Sequence, residues 1–458
     1  MSRTLLDASM DVCDRSEVEE ETTTMYRKLR SSPVLVTLLL SALLTACVES
    51  GGTDTTEGAT ATTAGATETT AGATETTEAM DIPTEIVIGN PIALSGPNNA
   101  GAALTQIPSY DLWVDDVNAA GGIYVAEYDT SLPVRIERVD DTSDVGTSVQ
   151  LTQQMLADEN INFIFPPWGT AFNFAIAQDI SDAQTPVIGC TVGSKELVEN
   201  SAQYPYFYTL LNQYPAQGAA LVELLQDLGV QTVAIIHHDD LFGIDFNDFM
   251  VPALEDAGIE IVFQETYPLG TQDLSQTLRG AQDADPDAFL AFSYPDETFL
   301  MTGQAIEIGF NPDVFMAAVG VAFPPFRDAF GPAAEGIIGT GAWNPNVDIP
   351  GAREYFDGHV AKFGAEPDRW ASAACYATGQ VLQQAIEAAG TLDPVAVKEA
   401  MDTTEFSTIL GTFMFENQLN PVYPGQIGQW QNGEFEIVSP TDSRTADPIF
   451  PKPAWPEG

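Results

Sequence analysis

The chain is expected to fold as two similar α/β lobes, each a doubly wound parallel sheet. Three observations point there. From Glu85 onward, short β-favouring runs alternate with amphipathic segments of about 10–15 residues, the signature of βαβ units. These units are too many for one lobe of ordinary size. The 458 residues, 44% hydrophobic, suffice for two substantial cores.

The elements follow in order. Glu85–Gly89 is a first strand, continued by the loop Leu94-Ser95-Gly96-Pro97. A helix over Tyr110–Ala120 ends at Gly121-Gly122, and the strand Val134–Val139 ends in Asp140-Asp141. After a helix over Gly146–Asp158 comes the apolar run Ile161–Phe165, stopped by Pro166-Pro167-Trp168-Gly169-Thr170. Phe172, Ala175, Ile176 and Ile180 have helical spacing, which gives a helix over Ala171–Asp182, and Thr185–Ile188 starts the next strand. Further on, strands are expected at Gln231–Ile236, Ile259–Glu265, Ala288–Ser293 and Val314–Val319, with helices at Phe246–Asp256, Leu274–Ala281 and Thr298–Ile308.

In an open parallel sheet, ligands bind beyond the carboxyl ends of the strands. Thr170 stands at such a helix start. Its hydroxyl, the free backbone N–H groups and the helix dipole together favour an anion, typically a carboxylate. An ordinary helix cap with Trp168 packed beside it is the alternative.

Residues 1–24 are acidic and polar. Translation is expected to start at Met25, because Arg27, Lys28 and Arg30 make a basic head and Val34–Leu44 a short apolar body. The apolar run is too short to cross a membrane comfortably. Leu44-Thr45-Ala46-Cys47 resembles the bacterial lipobox. That resemblance implies a signal peptide over 1–46 and a lipid anchor on Cys47. Residues 47–80 then form a tether rich in Thr, Ala, Gly and Glu, with three near-copies of a seven-residue unit at 59–65, 66–72 and 73–79. It lacks the apolar surface to offset ordering entropy and has a reach of about 30 Å.

Sixteen Lys and Arg against 66 Asp and Glu give a formal charge of −50. Such a field repels nucleic acid and anionic lipid surfaces. Cysteines stand at 13, 47, 190 and 375 and histidines at 237, 238 and 359, without metal-ligand spacing, so neither metal nor cofactor is expected. His237-His238 reads as a strand-end pair. No G-x-S-x-G, HExxH or P-loop occurs, which argues against an enzyme.

Over 82–438 the chain resembles the branched-chain amino-acid-binding proteins, the extracytoplasmic receptors of ABC importers. The matching stretches are Ser95-Gly96-Pro97, Asp115–Ile123, Asp140-Asp141, Gly169-Thr170, Thr185–Ile188, Asp239–Gly243, Gln304-Ala305 with Gly309, and Phe363–Pro367. The resemblance implies a type I periplasmic-binding fold. Two lobes, 82–208 plus 322–418 and 209–321 plus 419–458, would be joined by three crossovers and close on a ligand. The implied partners are that ligand and ABC permease subunits, with a monomer expected. A sensory subunit serving a membrane signalling receptor is the alternative.

The resemblance also names site residues. Thr170 takes the carboxylate-gripping place at the helix start, with Ser95 and Gly169 in matching stretches. Trp168 replaces a smaller residue of amino-acid-binding relatives and either walls off an apolar or aromatic ligand or is plain packing. The second grip falls on the loop Cys190–Gly193, where Gly193 replaces a Thr, leaving Thr191 and Val192 as candidates. Phe242 stands where many relatives have Tyr, and Tyr294 matches a ligand-contacting Tyr. Relatives hold the ligand amine with a Glu in the segment corresponding to 317–322, which here has no carboxylate. Asp296 and Glu297 are the substitutes, or else plain helix-cap acids. The expected ligand is a small carboxylate, either a branched-chain amino acid or an amine-free or aromatic analogue. An oxidising compartment would permit Cys190 and Cys375 to pair. A strand-end Cys and a Cys in an Ala-rich helical run nevertheless favour two buried free thiols.

Overall fold

A computed structural model describes residues 82–211 and 214–456. The signal sequence, Cys47 and the tether lie outside them. The elements used below are β1 (Ile86–Ile92), α1 (Asn99–Leu104), α2 (Gln106–Ala119), β2 (Val134–Asp140), α3 (Val145–Leu156), β3 (Phe163–Ile164), α4 (Thr170–Asp182), β4 (Val187–Gly189) and β5 (Phe207–Thr209). They continue with α5 (Tyr214–Asp227), β6 (Thr232–His238), α6 (Leu241–Asp256), β7 (Glu260–Tyr267), α7 (Ser275–Asp283), β8 (Ala288–Phe292), α8 (Pro295–Ile308), β9 (Val314–Ala317), α9 (Pro324–Phe330) and β10 (Ile338–Thr340). Last come α10 (Ala352–Phe363), α11 (Ser372–Ala389), α12 (Pro394–Thr403), β11 (Ile427–Gln431) and β12 (Glu434–Ser439). Two short hairpins, at 123–132 and 406–413, are added to this frame.

In the first half β2-β1-β3 form a parallel sheet, followed by the parallel pair β4-β5. The second half is one seven-stranded sheet ordered β12-β11-β10-β9-β8-β6-β7. β10, β9, β8, β6 and β7 run parallel, whereas β11 and β12 pair antiparallel. The interior strand β8, Ala-Phe-Leu-Ala-Phe, is buried throughout, as expected of a strand covered by helices on both faces. Edge strand β7 keeps only Tyr267 buried. Pro295 opens α8 at its first turn and Gly309 ends it in the left-handed region at φ 72°.

The chain passes between the halves three times. Thr209 and Asn420 run side by side, with Thr209 N–H donating to Gln418 O and Asn420 N–H to Thr209 O, both 2.9 Å. On the third passage Trp343 N–H donates to Arg369 O, and Arg369 N–H donates to Ala322 O. One boundary differs from expectation. Ile338 pairs with Met316, so the chain from 322 to 340 runs with the second sheet, and the changeover comes after β10.

The expectation of free thiols is overturned. Cys190 and Cys375 form a disulfide across 185 positions, with their Cα atoms 5.0 Å apart. Cys190 follows β4 and Cys375 lies in the first turn of α11, which packs against β4, so both fully buried sulfurs meet.

Candidate functional site

The site is built from two loops on the first half and three turns on the second. Pro166–Gly169 leads β3 into α4, and Gly169 adopts φ 101°, a backbone conformation that favours glycine. The loop Cys190–Gly193 follows β4. The two loops are stitched together: Gly169 N–H donates to Thr191 Oγ1 (3.4 Å), and Gly193 N–H donates to Thr170 Oγ1 (3.1 Å). Thr170 is 1% exposed at the start of α4.

The second half meets this face with aromatic side chains. Thr170 N–H donates across the seam to the Tyr294 hydroxyl (3.2 Å). Phe242 stacks on Tyr294 with ring centroids 5.3 Å apart. Trp168, fully buried, meets Tyr294 edge-on at 4.8 Å and Trp370 at 6.0 Å, and donates from Nε1 to Thr105 Oγ1. Gly101 makes that position possible, because a Cβ there would lie 2.2 Å from Trp168 Cζ2. At the seam's flank, Lys195 N–H donates to Asp245 Oδ2 (2.7 Å).

The structure brings Trp168, Gly169, Thr170, Thr191, Phe242 and Tyr294 together at this seam. Val192 is buried but packs into the first-half core against Gly189. Ser95 is exposed, and its hydroxyl donates to Asp140 Oδ2 (2.7 Å), bracing the β1 loop against β2. That bond holds the Asp140 carboxyl below its ordinary range. Asp296 and Glu297 part company on the first turn of α8: Asp296 is exposed, Glu297 is buried. Burial pushes the Glu297 carboxyl up.

Sequence reasoning missed three residues here. His238 is fully buried against Tyr294 at 4.5 Å, and burial lowers its imidazole to about 3, so it is neutral. Asp240 precedes α6, and burial raises its carboxyl to about 6. Tyr267 ends β7, 6.3 Å from His238. The Asp239–Gly243 stretch was the available signal for Asp240, and the strand-end pair His237-His238 for His238. A separate cavity of about 490 Å³, lined by Leu104, Phe323, Pro324, His359 and Phe363 among others, lies outside this aromatic seam. No group of metal-ligating side chains occurs among the described residues.

Two α/β halves, three chain crossings and loops meeting at strand carboxyl ends define a type I periplasmic-binding fold. A family model for periplasmic binding proteins matches residues 85–434, and the chain belongs to that family, which is one of binding proteins and not of enzymes. The Leu/Ile/Val-binding protein homolog 7 of Brucella suis is 25% identical over 382 residues, covering 79% of this chain and 92% of the relative. The branched-chain amino-acid transporter substrate-binding protein LivJ of Streptococcus pneumoniae, solved with isoleucine, superposes with a TM-score of 0.68 at 19% identity, covering 77% of this chain and 98% of its own. A solute-binding protein of an ABC transporter from Rhodopseudomonas palustris, solved with benzoate, gives 0.68 at 16% identity, covering 77% and 94%.

Proposed function

We propose that the chain is the lipid-anchored, extracytoplasmic solute receptor of an ABC importer. It takes a small carboxylate ligand between two closing lobes, 82–208 plus 341–418 and 209–340 plus 419–458. Branched-chain amino acids and amine-free or aromatic acids are the candidate ligands. The relatives solved with isoleucine and benzoate support that range. Cys47 carries the anchor, and the tether gives the receptor reach to its permease.

The observation that carries this reading is the bond from Thr170 N–H to the Tyr294 hydroxyl. It sets an acceptor oxygen from one half on a helix N-terminus of the other, where donors and dipole favour an anion. A ligand carboxylate entering there would take over that N–H and gain contacts from both halves. Ligand binding to both faces stabilises the closed arrangement by mass action.

Calorimetric titration tests this. The panel is leucine, isoleucine, valine, phenylalanine, their 2-oxo and 2-hydroxy analogues, and benzoate. Saturable binding of at least one member, one per chain, is expected. Silence of the whole panel contradicts the carboxylate reading.

A further inference from the structure

The second-half side of the seam holds acids that nothing neutralises. Glu297 is 2% exposed; its Oε1 accepts from Gly270 N–H (2.6 Å), and its Oε2 has no partner. Asp240 Oδ1 is likewise buried without a partner. The charged groups acting on Asp240 are Asp239 and Asp245, and those acting on Glu297 are Asp296 and Asp240, all acidic.

Two buried side chains of another kind lie beside them. The His238 Nδ1 accepts from Asp240 N–H (3.2 Å), which puts the ring proton on Nε2, and that atom is unpartnered. The Tyr267 hydroxyl is also unpartnered, and its phenol lies within electrostatic reach of Glu297. Four polar atoms from β6, the turn into α6, β7 and α8 are thus withdrawn from solvent next to Tyr294 with their bonds unmade. Buried like charges without a counter-charge are costly, so such an arrangement calls for a cation from outside. Orphaned carboxylate oxygens need N–H donors, which an ammonium supplies and a quaternary nitrogen does not.

The segment after β9, Ala318–Ala322, carries no carboxylate and is closed. Thr298 Oγ1 donates to Val319 O (2.6 Å), and Val319 N–H donates to Ser293 O. Gly320 sits at φ 115°, and a Cβ on it would lie 3.0 Å from Pro295 Cα. The backbone after β9 is pressed onto the start of α8, so a counter-charge has to come from α8 itself and from the turn before α6.

We propose that Asp240 and Glu297 form a subsite for a primary ammonium group of the ligand, with Tyr267 and His238 beside it. This rests on the seam being the ligand cleft. It restores amino acids, against amine-free acids, as the preferred class.

The test titrates L-leucine, L-phenylalanine, N,N,N-trimethyl-L-leucine and 4-methyl-2-oxopentanoate into the full chain and into Glu297→Gln and Asp240→Asn. Both variants keep side-chain volume, and the amide oxygen introduced by Glu297→Gln still accepts from Gly270 N–H. Binding of an unmethylated amino acid is expected to weaken at least tenfold in each variant, with the trimethylated probe silent. An unchanged dissociation constant in both variants, or equal binding of the trimethylated probe, overturns the subsite. Binding of 4-methyl-2-oxopentanoate alone overturns it while leaving the receptor reading standing. Silence of every probe overturns both.

Discussion

Thr170 and Tyr294, 124 positions apart, are bonded across the seam at 3.2 Å, backbone N–H to phenolic oxygen. Without ligand, this bond helps hold the halves together. Tyr294→Phe keeps the stacking on Phe242 and removes the acceptor. A neutral buried bond contributes about 0.5–1.5 kcal/mol. Urea unfolding of the ligand-free variant should show a loss of that size, and an unchanged midpoint would deny the bond a role.

Trp168 depends on the absence of a side chain at Gly101. Gly101→Ala puts a methyl 2.2 Å from the indole, so the ring or α1 must move. Overpacking of this kind costs about 1–3 kcal/mol. Gly303, inside α8, has open space within 4 Å of where a methyl would stand. Gly303→Ala should instead stabilise by about 0.5–1 kcal/mol through helix propensity. The two substitutions measured side by side by denaturation should carry opposite signs.

The Cys190–Cys375 bridge fastens the second binding loop to α11. Closing so long a loop restricts the unfolded chain, and replacing both residues by Ser should cost about 2–5 kcal/mol. Thiol titration of the unfolded, unreduced protein should find neither Cys190 nor Cys375 reactive. Reaction of both would remove the bridge.

Asp240 gives a pH signature. Its folded carboxyl lies at about 6, above the ordinary 3.9 or so of an unfolded chain. The folded state therefore holds the proton longer, and stability falls as pH rises from about 4 to about 6, then levels. The groups facing it are Asp239, Asp245, Glu297, Tyr294 and the neutral His238. In ligand-free protein, Asp240→Asn should gain on the wild type by about 1–3 kcal/mol between pH 4 and pH 7. A constant difference across that range would mean an ordinary Asp240.

Much of the frame was legible in the sequence. Ala288–Phe292 is an unbroken apolar run because both its faces are covered, and Thr170 is marked by the Pro-Pro-Trp-Gly before it. Thr170 was reached from its place at a helix start, whereas Phe242 and Tyr294 were reached only through the family resemblance. α1 was missed because Asn-Ala-Gly-Ala-Ala-Leu carries no amphipathic period. The disulfide was missed because its partners are 185 positions apart. Burial told Glu297 from its neighbour Asp296, and no pattern in the chain encodes that difference. Tyr267 joins the site only through the pairing of β7 with β6.

The central claim is that the ligand head sits at the N-terminus of α4. The direct measurement is calorimetric titration of the tightest-binding panel member into wild type and Thr170→Val. Loss of a buried polar partner predicts weakening by about 1–3 kcal/mol, with unfolding still cooperative. An unchanged dissociation constant would contradict the claim and move the ligand away from Thr170.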